Sequence, residues 1–323
     1  MLNNSLTNYA NTPQKIIKMK TILLQSILFI SLFLIGITIV FGQADPQISM
    51  IGFDRSIYNP AAINKSNGTI ASIIARQQWT GFEGAPSTQV INVSKNFTSK
   101  RFALGLTVIN DYIGIENSQN IKLKYSYMVN LTEKSTITFG LGAGIINRNI
   151  NTSKLIFDND TDPSTIISDQ ELKPDFDLGI EYNHQNFTAG ISCLHFINSY
   201  KSSTNYVTPR HYYLYLTYNF NINNQISIKP AMSVNNIHNI FLMELNTIVN
   251  YNNSIELGIS YRINDAVAAM LRIAITHQIQ LGYSYDFSAS ALRNYSSGTH
   301  EIMLIAKFGG NNTNLLKSPR FFD

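Results

Sequence analysis

Charge is scarce in this chain. Charged residues make up 14% of its 323 positions, against roughly 25% in ordinary soluble domains, so a solvated globular surface is poorly provided for. Cysteine occurs once, at Cys193, which excludes an internal disulfide framework and a cysteine-based zinc cluster. No long apolar run follows Phe41, so no later segment reaches the ~20 residues that a membrane-crossing helix needs. The six histidines include no His-x-x-x-His pair, and no Gly-x-Ser-x-Gly, phosphate loop or dinucleotide fingerprint occurs. Asp158, Asp160 and Asp162 have the opening spacing of a calcium loop. They lack its glycine at the sixth position and its glutamate at the twelfth, so a solvated acidic loop is expected there. No cofactor, metal or catalytic constellation is therefore expected.

Aromatic residues, by contrast, are plentiful, with 17 Tyr, 18 Phe and a single Trp at position 79, and they account for 11% of the chain. Mean hydropathy is only −0.03. Low charge, many Tyr and Phe and middling hydropathy fit strands that show lipid one side chain and a polar lumen the next. The formal charge of +4 is partly contributed by residues 1–42, which hold Lys15, Lys18 and Lys20 and no acid. Without them the chain is nearly neutral, and nothing points to a nucleic-acid partner.

Those lysines precede the apolar run Thr21–Phe41. A charged start followed by an apolar core is a secretory signal, with cleavage expected near Gly42 and Met19 as an alternative start. The other reading of the same run is an uncleaved transmembrane helix. Residues 43–67 hold Asp45-Pro46, Tyr58-Asn59-Pro60 and Asn67-Gly68, all turn-forming, and form either a periplasmic lead-in or a plug folded into a barrel.

From Thr69 onward, strand-like runs alternate with breaks. The clearest has Ile121, Leu123, Tyr125, Tyr127 and Val129 on one face and Lys122, Lys124, Ser126 and Met128 on the other, a period of two. In the next strand Gly140, Gly142 and Gly144 share a face, leaving room for something packed closely inside. Pro230 suggests a bulge or a weakly paired position. Short turns are expected at Asn96–Lys100, Asn130–Lys134, Asn183–Asn186, Asn221–Gln225, Asn252–Ser254 and around His277. Longer connections are expected at Asp111–Ser118, Asn147–Lys173, Ile197–Pro209 and Ser288–Thr299. Together these predict an all-β fold, a transmembrane antiparallel up-and-down β-barrel of about fourteen strands over residues 68–308, after a cleaved signal peptide. Residues 309–323 form a tail, and both mature termini are placed on the periplasmic side of an outer membrane. A soluble β-sandwich is the competing architecture.

Two stretches stand out as candidate sites. In Arg76–Pro86, Trp79 and Phe82 are large rigid side chains beside Arg76, with Gly81, Gly84 and Pro86 shaping the loop. The stretch is either a docking surface or an interfacial aromatic girdle with a turn. Near the other end, His300 and Glu301 could pair with Arg76, because the first and last strands of a closed barrel must meet. Reversing the charges at Arg76 and Glu301 together is then expected to rescue either single reversal.

The motifs also carry a family resemblance. Tyr58-Asn59-Pro60-Ala61-Ala62 is similar to an Asn-Pro-Ala motif that also occurs in fatty-acid transporter barrels. The stretch from Arg76 to Gln89, then Ser297–Leu304, and finally Ser318–Phe322 resemble the hairpin, last-strand and tail motifs of the PorP/SprF family, outer-membrane proteins of type IX secretion and gliding motility. The resemblance runs from Gln43 to Asp323. It implies a non-enzymatic role in the outer-membrane lipid. The implied partners are a secreted adhesin-like surface protein, recognised through its C-terminal domain, and other type IX components. Asn59, Pro60, His300 and Glu301 would be structural, and Arg76–Pro86 a docking face. The alternative is a diffusion channel or a fatty-acid-transporter-like barrel for small hydrophobic ligands.

Overall fold

In the computed structural model, residues 45–63, 68–151, 170–197, 208–237 and 240–309 are described. Fourteen antiparallel strands close into a barrel. They are β1 (Gly68–Gln77), β2 (Ser87–Phe97), β3 (Phe102–Ile113), β4 (Glu116–Asn130), β5 (Ser135–Ile150), β6 (Gln170–His184) and β7 (Phe187–Leu194). The second half is β8 (His211–Tyr218, continued at Phe220–Asn221), β9 (Ile226–Ile237), β10 (Ile240–Tyr251), β11 (Ile255–Arg262), β12 (Ala266–Ala274), β13 (Ile279–Ser288) and β14 (Thr299–Phe308). Each strand pairs with its sequence neighbour, and β1 pairs with β14 from Thr69↔Phe308 to Gln77↔His300. Closure leaves no sheet edge, the condition for strands to span a bilayer.

The period of two fixes which face each residue takes. On β4, Ile121, Leu123, Tyr125 and Tyr127 are exposed on the outer surface while Lys122, Lys124 and Ser126 are buried. The same rule turns Leu104 and Leu106, Phe139 and Leu141, and Leu257 and Ile259 outward. An apolar exterior with a polar interior inverts the arrangement of a soluble protein and suits a lipid surround. Among the described residues no helix is long and apolar enough to cross a membrane.

All six expected short turns lie at one end of the barrel. The other end departs from expectation at two connections. Asn147–Ile150 and Gln170–Lys173, expected in a loop, are paired strand. Asp111–Ser118 is not a loop: β3 continues to Ile113 and β4 resumes at Glu116, with Asp111 paired to Ser118. Asp111 is a lumen-side member of a longer hairpin: it is buried and accepts a hydrogen bond from Thr88 Oγ. Pro230 keeps the regular register opposite Thr247. On its other side the pairing of β8 with β9 lapses at Tyr218 and Asn219, opposite Pro230 and Lys229, because a residue without an N–H cannot support the ladder. The expected leader, the Asp158–Asp162 loop and the Ser318–Phe322 tail lie outside the described residues.

Residues 45–63 run through the barrel interior as three short 3-10 turns, Ser49–Gly52, Arg55–Ile57 and Pro60–Ala62. Asp45 meets His195 and His211, at the end of the barrel where β7 stops and β8 starts. Ser49 and Met50 meet Glu301 near the same end. Ala61 packs on Gly140, and Ile63 approaches Gly105, three residues into β3 from the short-turn end. The segment therefore threads the lumen from the long-loop end to the short-turn end before entering β1. Asp45 and Phe308 lie at opposite ends of the barrel; the expected mature termini themselves lie outside the described residues. An even strand count places the start of β1 and the end of β14 together, but it says nothing about a segment that doubles back through the interior.

Candidate functional site

The threaded segment is fastened to the wall at three levels. Nearest the long-loop end, the Glu301 carboxylate accepts from the Ser49 and Met50 backbone amides, both at 2.9 Å. It also pairs with Arg76 Nη1 at 2.9 Å. Arg76 reaches on to Asp286 at 2.9 Å, and Arg262 meets the same Asp286 oxygen at 2.6 Å. Ser49 Oγ sits among them, donating to Asp286 and accepting from both guanidinium groups. Arg76, Arg262, Asp286 and Glu301 are all buried. Each charge has an opposite partner and further hydrogen bonds, the condition for holding charge out of water.

Beside this, Lys122 lies 2.6 Å from Asp175 and 2.8 Å from Asp177. His195 Nδ1 faces Asp175 and its Nε2 faces Asp45, each at 3.0 Å, and His211 approaches Asp45 at 3.3 Å. The two imidazoles meet edge to face at 5.4 Å. Burial alone would raise the Asp45 carboxyl, but the charges of His195, His211 and Lys122 outweigh it and hold the group well below the usual carboxylate range. Asp175, Asp177 and His195 are close enough together to suggest a metal centre. The Lys122 ammonium already lies against both carboxylates, supplying the positive charge that an ion would bring.

Lower down, the Asn59-Pro60-Ala61 motif shows its purpose. The Asn59 side chain accepts from the Ala61 amide at 2.8 Å, capping the turn that Pro60 begins. Its Nδ2 donates to Tyr215 OH at 3.1 Å and toward the Ile180 and Ile191 carbonyls. Aspartate has no such donor. The turn lies directly on the wall because Gly140 and Gly179 carry no side chain. A Cβ at Gly140 would come within 2.2 Å of Ala61 N, and one at Gly179 within 2.1 Å of Asn59 Oδ1. Of the three glycines sharing a face on β5, only Gly140 touches the inserted segment; Gly142 faces Asp177, and Gly144 faces the β4 backbone.

At the long-loop rim, the Gln78–Pro86 connection is tied to the strand before closure. Thr80 N donates to Gly298 O, Ser297 N donates to Thr80 O, and Trp79 N donates to Thr299 Oγ. Gly114 N donates to Gly84 O, fixing the loop over the β3–β4 turn. Gly81, Phe82 and Gly84 are exposed, Trp79 is half-buried and Pro86 is buried. Phe82, Tyr112, Ile113 and Tyr295 leave apolar surface open at this end.

The chain matches the family model of the type IX secretion system membrane protein PorP/SprF over residues 40–305. The chain belongs to the PorP/SprF family. As a member it is an outer-membrane β-barrel and a type IX secretion component. No curated protein matches it. Among solved structures it is similar to the monoaromatic hydrocarbon channel CymD, at 12% identity, covering 83% of this chain and 95% of that one, with a TM-score of 0.53. It is also similar to the toluene transporter TbuX of Ralstonia pickettii, at 11% identity, covering 78% and 93%, with a TM-score of 0.51. At such identities the likeness concerns the barrel fold.

The sequence-predicted residues of this PorP/SprF barrel divide cleanly. Arg76 and Glu301 stand directly opposite each other and are bonded. His300 does not join them. As the neighbour of Glu301 it takes the opposite face of β14, where Nδ1 meets Tyr283 OH at 2.8 Å and the ring packs on Tyr285. Sequence reasoning did not assemble Asp45, His195, His211, Arg262 and Asp286. Only Arg262 and Asp286 carried a signal, as ionisable residues on the polar face of alternating strands, as Asp175 and Asp177 do on β6.

Proposed function

We propose that this protein acts without catalysis, as an outer-membrane partner through which the type IX system exports or anchors one surface protein, adhesin-like and recognised through its C-terminal domain. The observation that carries this reading is the threaded segment. A lumen crossed by residues 45–63 and fastened by buried ion pairs is poorly suited to free diffusion, whereas a filled barrel can serve as a rigid platform. Its docking face would be the long-loop rim, with Phe82 and Trp79 as anchors held by the bonds to Gly298 and Thr299. On this reading the long-loop end faces outward and the short turns face the periplasm.

A second reading keeps the barrel as a route for small hydrophobic molecules. A largely apolar cavity of about 100 Å³ beside the segment, bordered by Ile48, Ile51, Tyr58, Tyr213 and Met243, favours it. The deciding experiment is affinity purification of the tagged protein from solubilised outer membranes, followed by mass spectrometry. A large surface protein or type IX components, lost on Phe82→Ala with Trp79→Ala, support the docking reading. A partnerless barrel that admits small molecules into liposomes overturns it.

A further inference from the structure

We propose that the short-turn end of the lumen contains a binding site for an oxyanion, a phosphate or carboxylate group. Beneath the threaded segment lies a polar cavity of about 300 Å³. Its border includes four cations, Arg55 from the segment, Lys229 from β9, Arg272 from β12 and Lys307 from β14, but only two acids, Asp54 and Glu181.

The acids are already engaged. Asp54 accepts from Ser56, Ser72 and Asn92. Glu181 accepts from Tyr215 OH at 2.6 Å and from Asn183 at 3.0 Å. Of the cations, Arg272 is held by Glu256 and Gln280. The other three are not matched in this way. The Lys229 ammonium has a single weak contact, 3.5 Å to the Gly52 carbonyl. Arg55 Nε is buried without a hydrogen-bond partner and stands 3.8 Å from Glu181. Lys307 makes no side-chain hydrogen bond or ion pair among the described residues.

The clusters around Asp286 and Asp175 pair each of their cations with a carboxylate, whereas three of the four cations on this cavity are not matched in that way. Like charges gathered away from bulk water repel, and an anion among them turns that repulsion into attraction. Two ammonium groups and a guanidinium are the usual donors to phosphate and carboxylate oxygens. The threaded segment covers the cavity from above through Gly52–Arg55, Ala62 and Ile63, so the ligand enters from the short-turn end. Because Arg55 belongs to the segment and Lys229 and Lys307 to the wall, a bound anion bridges the two and tightens the seat of the segment. This site is independent of the docking reading, since it rests on the lumen alone.

The test uses the full mature chain in detergent micelles with inorganic phosphate as the probe, against sodium chloride at matched ionic strength. The reading is the midpoint of urea unfolding followed by Trp79 fluorescence. Phosphate should raise the midpoint saturably, and Lys229→Gln with Lys307→Gln should weaken the apparent affinity at least tenfold. Lys95→Gln, on the exposed face of β2, should leave it unchanged. The single variants Lys229→Gln and Lys307→Gln serve the same purpose if the double variant does not fold. A parallel titration with acetate separates the sources: a response to both anions indicates a general carboxylate and phosphate site, and a response to phosphate alone indicates a phosphate ligand. No saturable response beyond chloride, or one that the lysine variants leave intact, overturns the proposal.

Discussion

Reversing both charges of the Arg76–Glu301 pair should not restore the stability that either reversal removes. For an isolated ion pair, Arg76→Glu combined with Glu301→Arg would re-form the same attraction with the ends exchanged. Glu301 is not part of an isolated pair. Its two oxygens also accept the Ser49 and Met50 amides, each at 2.9 Å. A guanidinium at position 301 has no acceptor and leaves both amides unmade in a buried setting. Each unsatisfied group costs about 1–3 kcal/mol, so the double variant should remain about 2–6 kcal/mol below the parent. A carboxylate at position 76 would also face Asp286, which Arg76 now neutralises at 2.9 Å. Either single reversal leaves an unpaired buried charge, a loss of about 3–5 kcal/mol. Glu301→Gln should fall between, because one amide oxygen still accepts. Urea unfolding of the purified barrel, followed by the fluorescence of the single Trp79 and by heat-dependent gel mobility, measures all four variants against the parent. Recovery of the double variant to within about 0.5 kcal/mol of the parent would falsify the claim that Glu301 fastens the segment.

Three further outcomes follow from the geometry. Gly140→Val should unseat the Pro60–Ala61 turn while the barrel stays folded, because the new Cβ meets backbone at 2.2–2.3 Å. The expected loss is about 1–3 kcal/mol, and ion flux through liposomes should rise; flux equal to the parent's contradicts it. An epitope placed just before Asp45 should be labelled in whole cells together with one at Ser290–Ser297, and not with one in the Asn252–Ser254 turn; labelling that follows the turn contradicts the threading. Asp45→Asn should lower stability at pH 5, where the carboxylate is ionised and the His195 imidazole that faces it is protonated. A carboxyl whose folded pKa is depressed contributes fully above its unfolded value near 3.9, and that contribution is lost only as pH falls through the folded value. Asp45 lies below the usual range, so parent and variant should converge only in stronger acid; a gap already closed at pH 5 contradicts the assignment.

The barrel was legible because its signal is local. Alternation on β4 alone separates Ile121, Leu123 and Tyr125 from Lys122 and Lys124, and lipid outside a polar lumen demands that separation. The same signal misled at Asp111–Ser118, where polar residues belong to paired strands whose interior face is itself polar. The Arg76–Glu301 contact was accessible because closure forces the first and last strands together. His300 was misassigned because adjacency in sequence means opposite faces in a strand. The His195–Asp45–His211 contact was out of reach, since it needs the path of residues 45–63 through the interior, and no periodicity in a turn-rich segment encodes a path.

The threading also sets an order of assembly. Ser49 is bonded to Glu301 across 252 positions of sequence, so this turn of the segment finds its partner only when the final strand is in place. Bringing such distant residues together carries a loop-closure entropy that nothing local offsets. Closing the cylinder removes that difficulty at once, by bringing β14 beside β1, so the segment and the seam should become ordered in a single cooperative step. A chain stalled before β14 would present an open seam and a loose leading peptide together, which gives assembly machinery one feature by which to recognise an unfinished barrel.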